Sequence, residues 1–91
     1  MQTVVESMKA KAVARLEFPS EKNSEIIYKT LMPEIEKPAT RRSKASLERK
    51  KRFLILKIEA LDTVALRATL NTYLRWINSL LGILKVLENA S

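Results

Sequence analysis

From residue 8 to residue 18 the chain alternates. Ala10, Ala12, Ala14, Leu16 and Phe18 fall on one side, and Lys9, Lys11, Val13, Arg15 and Glu17 fall on the other. A period of two with one apolar face predicts a half-buried strand. The three alanines of that face leave room for a closely packed helix. Pro19 stops the strand, and Ser20 is placed to cap a helix running to about Met32. Within it Ile27 and Leu31 point inward with Ile26, Tyr28 and Met32 beside them, while Glu21, Glu25 and Lys29 face solvent. Pro33 should end or kink this helix, because its ring disfavours helical geometry at Met32 and removes a backbone donor.

After a connector at 38–40 the period of two returns. Residues 42–49 put Ser43, Ala45 and Leu47 on one face; residues 52–60 do the same with Leu54, Leu56, Ile58 and Ala60. These runs predict an antiparallel hairpin turning near Lys50 and Lys51. The turn holds neither Gly nor Asn, so a tight two-residue turn is disfavoured and a looser loop is expected. The outer face of the third strand is polar at Lys57 and Glu59 and apolar at Phe53 and Ile55.

Asp62 is a good N-cap for the long helix that follows, from about Thr63 to Leu87. Arg67, Asn71, Arg75, Asn78, Gly82 and Lys85 make one narrow polar stripe along it. Opposite run Leu66, Leu70, Tyr73, Ile77, Leu80, Leu84 and Leu87, the face expected to cover the sheet. Trp76 and Ile83 lie on one flank, Leu74 and Leu81 on the other. The apolar arc thus spans about half the circumference, wider than the ~100° stripe that packing on one sheet requires. The first helix should take one flank and a partner the other, because a contiguous apolar patch of that size is rarely left bare. Trp76 itself is expected to pack against protein rather than stack on a nucleobase.

The element order is β-α-β-β-α. A helix between the first two strands makes them point the same way, so the hairpin's second strand fits between them, antiparallel to both. The expected fold is therefore α+β in two layers, with two helices on one face of a three-stranded antiparallel sheet of order 2-3-1. One sheet face and both outer edges stay open, a further reason to expect association.

Length and composition narrow what such a fold can do. Ninety-one residues make one domain, expected at 8–88 between short tails at 1–7 and 89–91. A chain this short buries only roughly 60–65% of the surface its unfolded form exposes. It has no cysteine and no histidine, which removes disulfides, thiolate metal sites, and the commonest metal ligand and general base. Gly82 is the single glycine, so no Gly-rich phosphate loop exists. Glu34 and Glu36 sit between prolines and read as solvated surface charge, and Ser43 has no histidine to activate it. No cofactor, metal or small-molecule substrate is expected, and no catalysis. Residues 1–7 include Glu6 and no long apolar run, unlike a secretory signal. The richest apolar stretch, 64–87, carries Arg67, Arg75 and Lys85 and does not read as a membrane span. A soluble, cytoplasmic chain is expected, with oligomerisation as its remaining source of stability.

The net charge is +7, and it is concentrated. Arg41, Arg42, Lys44, Arg49, Lys50, Lys51 and Arg52 face a single acid, Glu48, while the rest of the chain is nearly neutral. A local excess of this kind attracts polyanions. It equally suits a solvated hairpin that repels unwanted strand pairing. Arg67 and Arg75, two turns apart on the polar stripe, are placed to contact phosphate or a partner's acids.

The run from Asp62 to Ile77, Asp-Thr-Val-Ala-Leu-Arg-Ala-Thr-Leu-Asn-Thr-Tyr-Leu-Arg-Trp-Ile, resembles the hallmark helix of the archaeal and eukaryotic Pcc (CTAG-related) subunits of the KEOPS tRNA-modifying assembly. Leu31-Met-Pro-Glu34, Pro38 with Arg42-Ser43, and Glu59-Ala-Leu-Asp62 match at the expected distances. The similarity covers about residues 8–86. The basic turn at 49–52 departs from it, since relatives often carry an acidic or glycine-containing loop there. The resemblance implies the same β-α-β-β-α fold and a homodimer. It also implies docking through both helices onto the catalytic subunit, an ASKHA-fold ATP-dependent transferase. That enzyme makes threonylcarbamoyladenosine beside the tRNA anticodon, and the small subunit aids assembly and tRNA binding. Carried onto this chain, docking falls on Tyr28, Leu31, Leu66, Leu70, Tyr73, Leu74, Ile77 and Leu81, without dividing them between sheet and partner. The tRNA contacts fall on Arg41, Arg42, Lys44, the 49–52 turn, Arg67 and Arg75. The alternatives are a free-standing KH-like nucleic-acid-binding or transcription-associated module, and a paralogue that heterodimerises with the true subunit. A KH-like module would need a GXXG clamp or exposed sheet aromatics, and only Phe53 answers that description.

Overall fold

The computed structural model describes residues 10–36 and 43–90. Parts of the expected tails, the 38–40 connector, and Arg41 and Arg42 lie outside the described residues. The elements are β1 (Ala10–Glu17), α1 (Glu21–Ile35), β2 (Ser43–Lys50), β3 (Phe53–Ala60) and α2 (Thr63–Ala90). The sheet order is β1-β3-β2 with both pairings antiparallel. This is the expected 2-3-1 order seen from the other edge.

Alternation along the strands sets the layers. On β1 every second residue from Ala10 to Leu16 is half-buried and the residues between are exposed. On β3 Leu54, Leu56, Ile58 and Ala60 are all buried. The register aligns Ala14, Leu56 and Leu47 in one inner row and Ala12, Ile58 and Ala45 in the next. Both helices lie over this face, α1 mainly over β2 and α2 over β3 and β1. Phe18, Ile27, Leu31 and Ile77 complete the core.

The helix starts follow from their caps. Ser20 has extended backbone (φ −151°, ψ 163°), and its Oγ accepts from the Asn23 N–H at 3.1 Å. Asp62 Oδ1 accepts from the Ala65 N–H at 2.8 Å, and the Asp62 carbonyl accepts from the Leu66 N–H at 3.0 Å. Each cap satisfies an amide that would otherwise lack a partner. Lys29 donates to Glu25 at 3.0 Å and thereby holds the Glu25 carboxyl below its ordinary value, with Arg49 adding to the effect. Its small stabilising effect is present above the ordinary carboxylate value and is lost as pH falls through the depressed one.

Two expectations are corrected. α1 does not stop near Met32: it continues to Ile35 with Pro33 inside it. Pro33 removes one bond of the last turn, but Met32 and Ile35 pack against the core, and the Glu36 N–H still reaches the Met32 carbonyl at 2.8 Å. The hairpin is also tighter than expected. Lys50 pairs with Phe53, leaving a two-residue turn in which Lys51 adopts φ 54° without being glycine. An L-residue there costs about 1–2 kcal/mol. Contacts from elsewhere offset it. Arg49 donates to the Lys51 carbonyl at 3.0 Å, and the Phe18 N–H donates to the Arg52 carbonyl at 2.9 Å. The buried Ser24 Oγ lies within hydrogen-bonding distance of the Glu21 and Lys51 carbonyls, its single proton serving one of them. Lys51→Gly should therefore stabilise the domain by about 0.5–1 kcal/mol, since glycine meets no Cβ penalty at this φ. A rise in Tm of roughly 3–8 °C is expected in a thermal melt; an unchanged or lowered Tm would show that the turn is not strained.

Candidate docking and nucleic-acid surfaces

α2 is longer than the sheet it covers. Its 28 residues extend roughly 42 Å at 1.5 Å per residue, against roughly 26 Å for an eight-residue strand. The last turns therefore overhang. Leu87, expected on the sheet-facing side, is 60% exposed because no sheet lies beneath it. One side-chain bond ties the overhang back: buried Asn23 Nδ2 donates to Glu88 Oε2 at 3.1 Å, at the N-terminus of α1.

Three large apolar residues of α2 left in solvent share one flank. Trp76 is 41% exposed and Ile83 55%, and with Leu87 they form a row at spacings of seven and four. Val86 and Val64 are also exposed. α1 runs along this same side without covering it. Thr30, Leu31 and Glu34 from α1 and Trp76, Ser79 and Leu80 from α2 enclose an open groove of about 340 Å³. Trp76 is held by one edge-to-face contact with Tyr73, at 5.6 Å between ring centroids and 88° between planes. It is half packed, not buried.

The eight residues assigned to docking divide by burial. Leu31 and Ile77 belong to the core, though Leu31 also forms the floor of the groove. Tyr28, Leu66, Leu70, Tyr73 and Leu81 are partly buried against the core. Leu74 is half-buried. The Trp76–Ile83 flank is legible in the sequence as apolar, but the helical pattern does not say whether α1 covers it. The signal that separates the two cases is length, since a 15-residue helix cannot shield a 28-residue one.

The basic set also divides. Lys44 pairs with Glu59 at 3.8 Å, and Arg52 pairs with Glu17. Arg49 is committed to the Lys51 carbonyl and reaches Ser24 Oγ at 3.4 Å, so it braces the turn. Lys50 and Lys51 are exposed and form no ion pair among the described residues. Arg67 and Arg75 are exposed on the outer side of α2. They occupy the helical layer, opposite the outer sheet face, so the fold does not gather them with the hairpin.

The family model described as "Transcription factor Pcc1" matches residues 11–85. The chain belongs to the Pcc1 family. It is 41% identical over 71 residues to the KEOPS complex subunit Pcc1 of Pyrococcus abyssi, covering 78% of this chain and 87% of that protein. A chain in the crystal structure of the binary complex Gon7–Pcc1 has the same fold, with a TM-score of 0.78 at 21% identity over 89% of this chain and 99% of that one. Among the described residues no helix is long and apolar enough to cross a membrane.

Core and overhang should respond differently to truncation. Ile77→Ala should cost about 2–5 kcal/mol, as cavity-forming changes do. Ile83→Ala should stay within about 0.5 kcal/mol of the parent. Urea unfolding of both variants checks this, and equal losses would contradict the division of α2 into a packed and an overhanging part.

Proposed function

We propose that this chain is a non-catalytic subunit of a KEOPS-type assembly, acting in the cytoplasm as a dimerisation and docking module for the catalytic threonylcarbamoyl-transferase subunit and aiding tRNA binding. The observation that carries the reading is the apolar row Trp76, Ile83 and Leu87 beside the α1–α2 groove, left uncovered after the domain has closed its own core. Aromatic anchors beside a groove are typical of protein interfaces. The kinship with an archaeal KEOPS complex subunit supports an assembly of that kind as the setting. A second copy is supported by the sheet, whose outer strands β1 and β2 each have one unpaired edge. A KH-like clamp finds no support, since Gly82 lies inside α2.

Docking is tested by copurification with the catalytic subunit. Ile83→Glu and Leu74→Glu, which change opposite flanks, identify the docking side. The flank in contact should lose association by roughly tenfold or more. Unchanged binding of both variants would refute docking through α2. Light scattering on the pure chain separates a homodimer from a monomer awaiting a paralogue.

Contact with tRNA should be carried mainly by phosphates at Lys44, Lys50 and Lys51. Neutralising Lys50 and Lys51 together should weaken tRNA binding and flatten the slope of log K against log salt by roughly 1.4–1.8, about 0.7–0.9 for each lost phosphate contact. Unaltered affinity would remove the hairpin from the tRNA surface.

A further inference from the structure

The outer face of the sheet carries an arrangement that neither docking nor dimerisation uses. Phe53 lies on the central strand with its side chain on the uncovered face, half-buried. The register sets Glu17 of β1 and Lys50 of β2 directly beside it, with Arg15, Ile55 and Glu48 in the next outer row. The Arg15 guanidinium lies 4.7 Å from the Phe53 ring centroid, and that of Arg52 lies 6.0 Å away. Arg15 forms no ion pair among the described residues. Around the ring, Arg15, Lys50, Lys51 and Arg52 outnumber Glu17 and Glu48.

We propose that Phe53 and Arg15 form a stacking platform for unpaired bases of single-stranded RNA, with Lys50 and Lys51 holding the adjoining phosphates. The proposal rests on the tRNA-binding reading above and specifies which part of an RNA this face takes. Its reasoning is chemical. A guanidinium lying over an aromatic ring presents its second plane outward, and a nucleobase stacks on such a plane as it does on an aromatic face. A flat sheet gives successive bases room to spread, whereas a duplex keeps its bases inside the stack and offers only its backbone. The excess of cations favours a polyanion over a neutral or basic protein surface. A cation–π contact alone would account for Arg15 covering a stray surface ring. It does not account for Lys50 and Lys51, exposed at the same end of the sheet and without an ion pair among the described residues.

The test is fluorescence anisotropy on the full chain, with an end-labelled RNA of roughly ten nucleotides. The probe is used as a single strand and annealed to its complement. The single strand should bind about tenfold more tightly. Phe53→Leu should weaken single-strand binding by about tenfold while leaving its salt slope unchanged, because stacking releases no counterions. Arg15→Lys should weaken it several-fold although the charge is kept, since an ammonium cannot stack. Lys50→Gln should reduce the slope by about 0.7. If Phe53→Leu perturbs the fold in a melting control, the exposed Arg15→Lys still decides. Both variants binding like the parent, with Lys50→Gln impaired, would overturn the platform and leave hairpin contact with tRNA standing. A parent chain that binds neither the oligonucleotide nor intact tRNA would remove both. Loss of a protein partner, rather than of RNA, in Phe53→Leu would make this face a protein interface and also defeat the proposal.

Discussion

The inner side chains of β3, Leu54, Leu56, Ile58 and Ala60, are the surface on which both helices settle. They are short of nothing but cover, since β1 contributes mostly alanines and β2 only Leu47 as a large buried residue. The small side chains of β1 let α2 approach the sheet, while Ile27 and Leu31 bring α1 down beside it. With a core this limited, Ile77 is the member of the apolar arc of α2 that is buried, and Trp76, Ile83 and Leu87 stay in solvent. A core of this size leaves apolar surface over, in line with the thin margin expected of small domains.

Much of this architecture was legible in the residues themselves. Period-two alternation gave three strands with correct faces, because a slip by one residue would expose every inner side chain at once. Ser20 and Asp62 marked both helix starts, since caps are local interactions that need no knowledge of the rest of the fold. The hairpin turn escaped. Its conformation is held by Ser24, 27 residues away in sequence from Lys51, and by the Phe18 amide. The end of α1 escaped for a similar reason, as the packing of Met32 and Ile35 outweighs the effect of Pro33.

The functional surfaces were less legible than the fold. A helical stripe shows which residues share a face, not which neighbour will cover them. Leu74 and Leu81 read as the free flank, yet Leu81 packs against the core and Trp76 and Ile83 stay in solvent. Charge behaved in the same way. Seven basic residues form one segment in the sequence, but folding engages Arg49 with the Lys51 carbonyl and pairs Arg52 with Glu17. The contact of Arg15 with Phe53 joins residues far apart in sequence and depends on strand register, so no local pattern announces it.

The overhang of α2 separates two kinds of constraint on sequence. Residues over the sheet must fit a crowded interior, where one methylene too many or too few is felt. Ile83, Val86 and Leu87 are exposed and face no such requirement from their own core, and the helix end is tied back by the bond from Asn23 to Glu88. Change there is not answerable to the packing of this chain's own core. The end of this helix can therefore vary while the domain beneath it keeps the same fold.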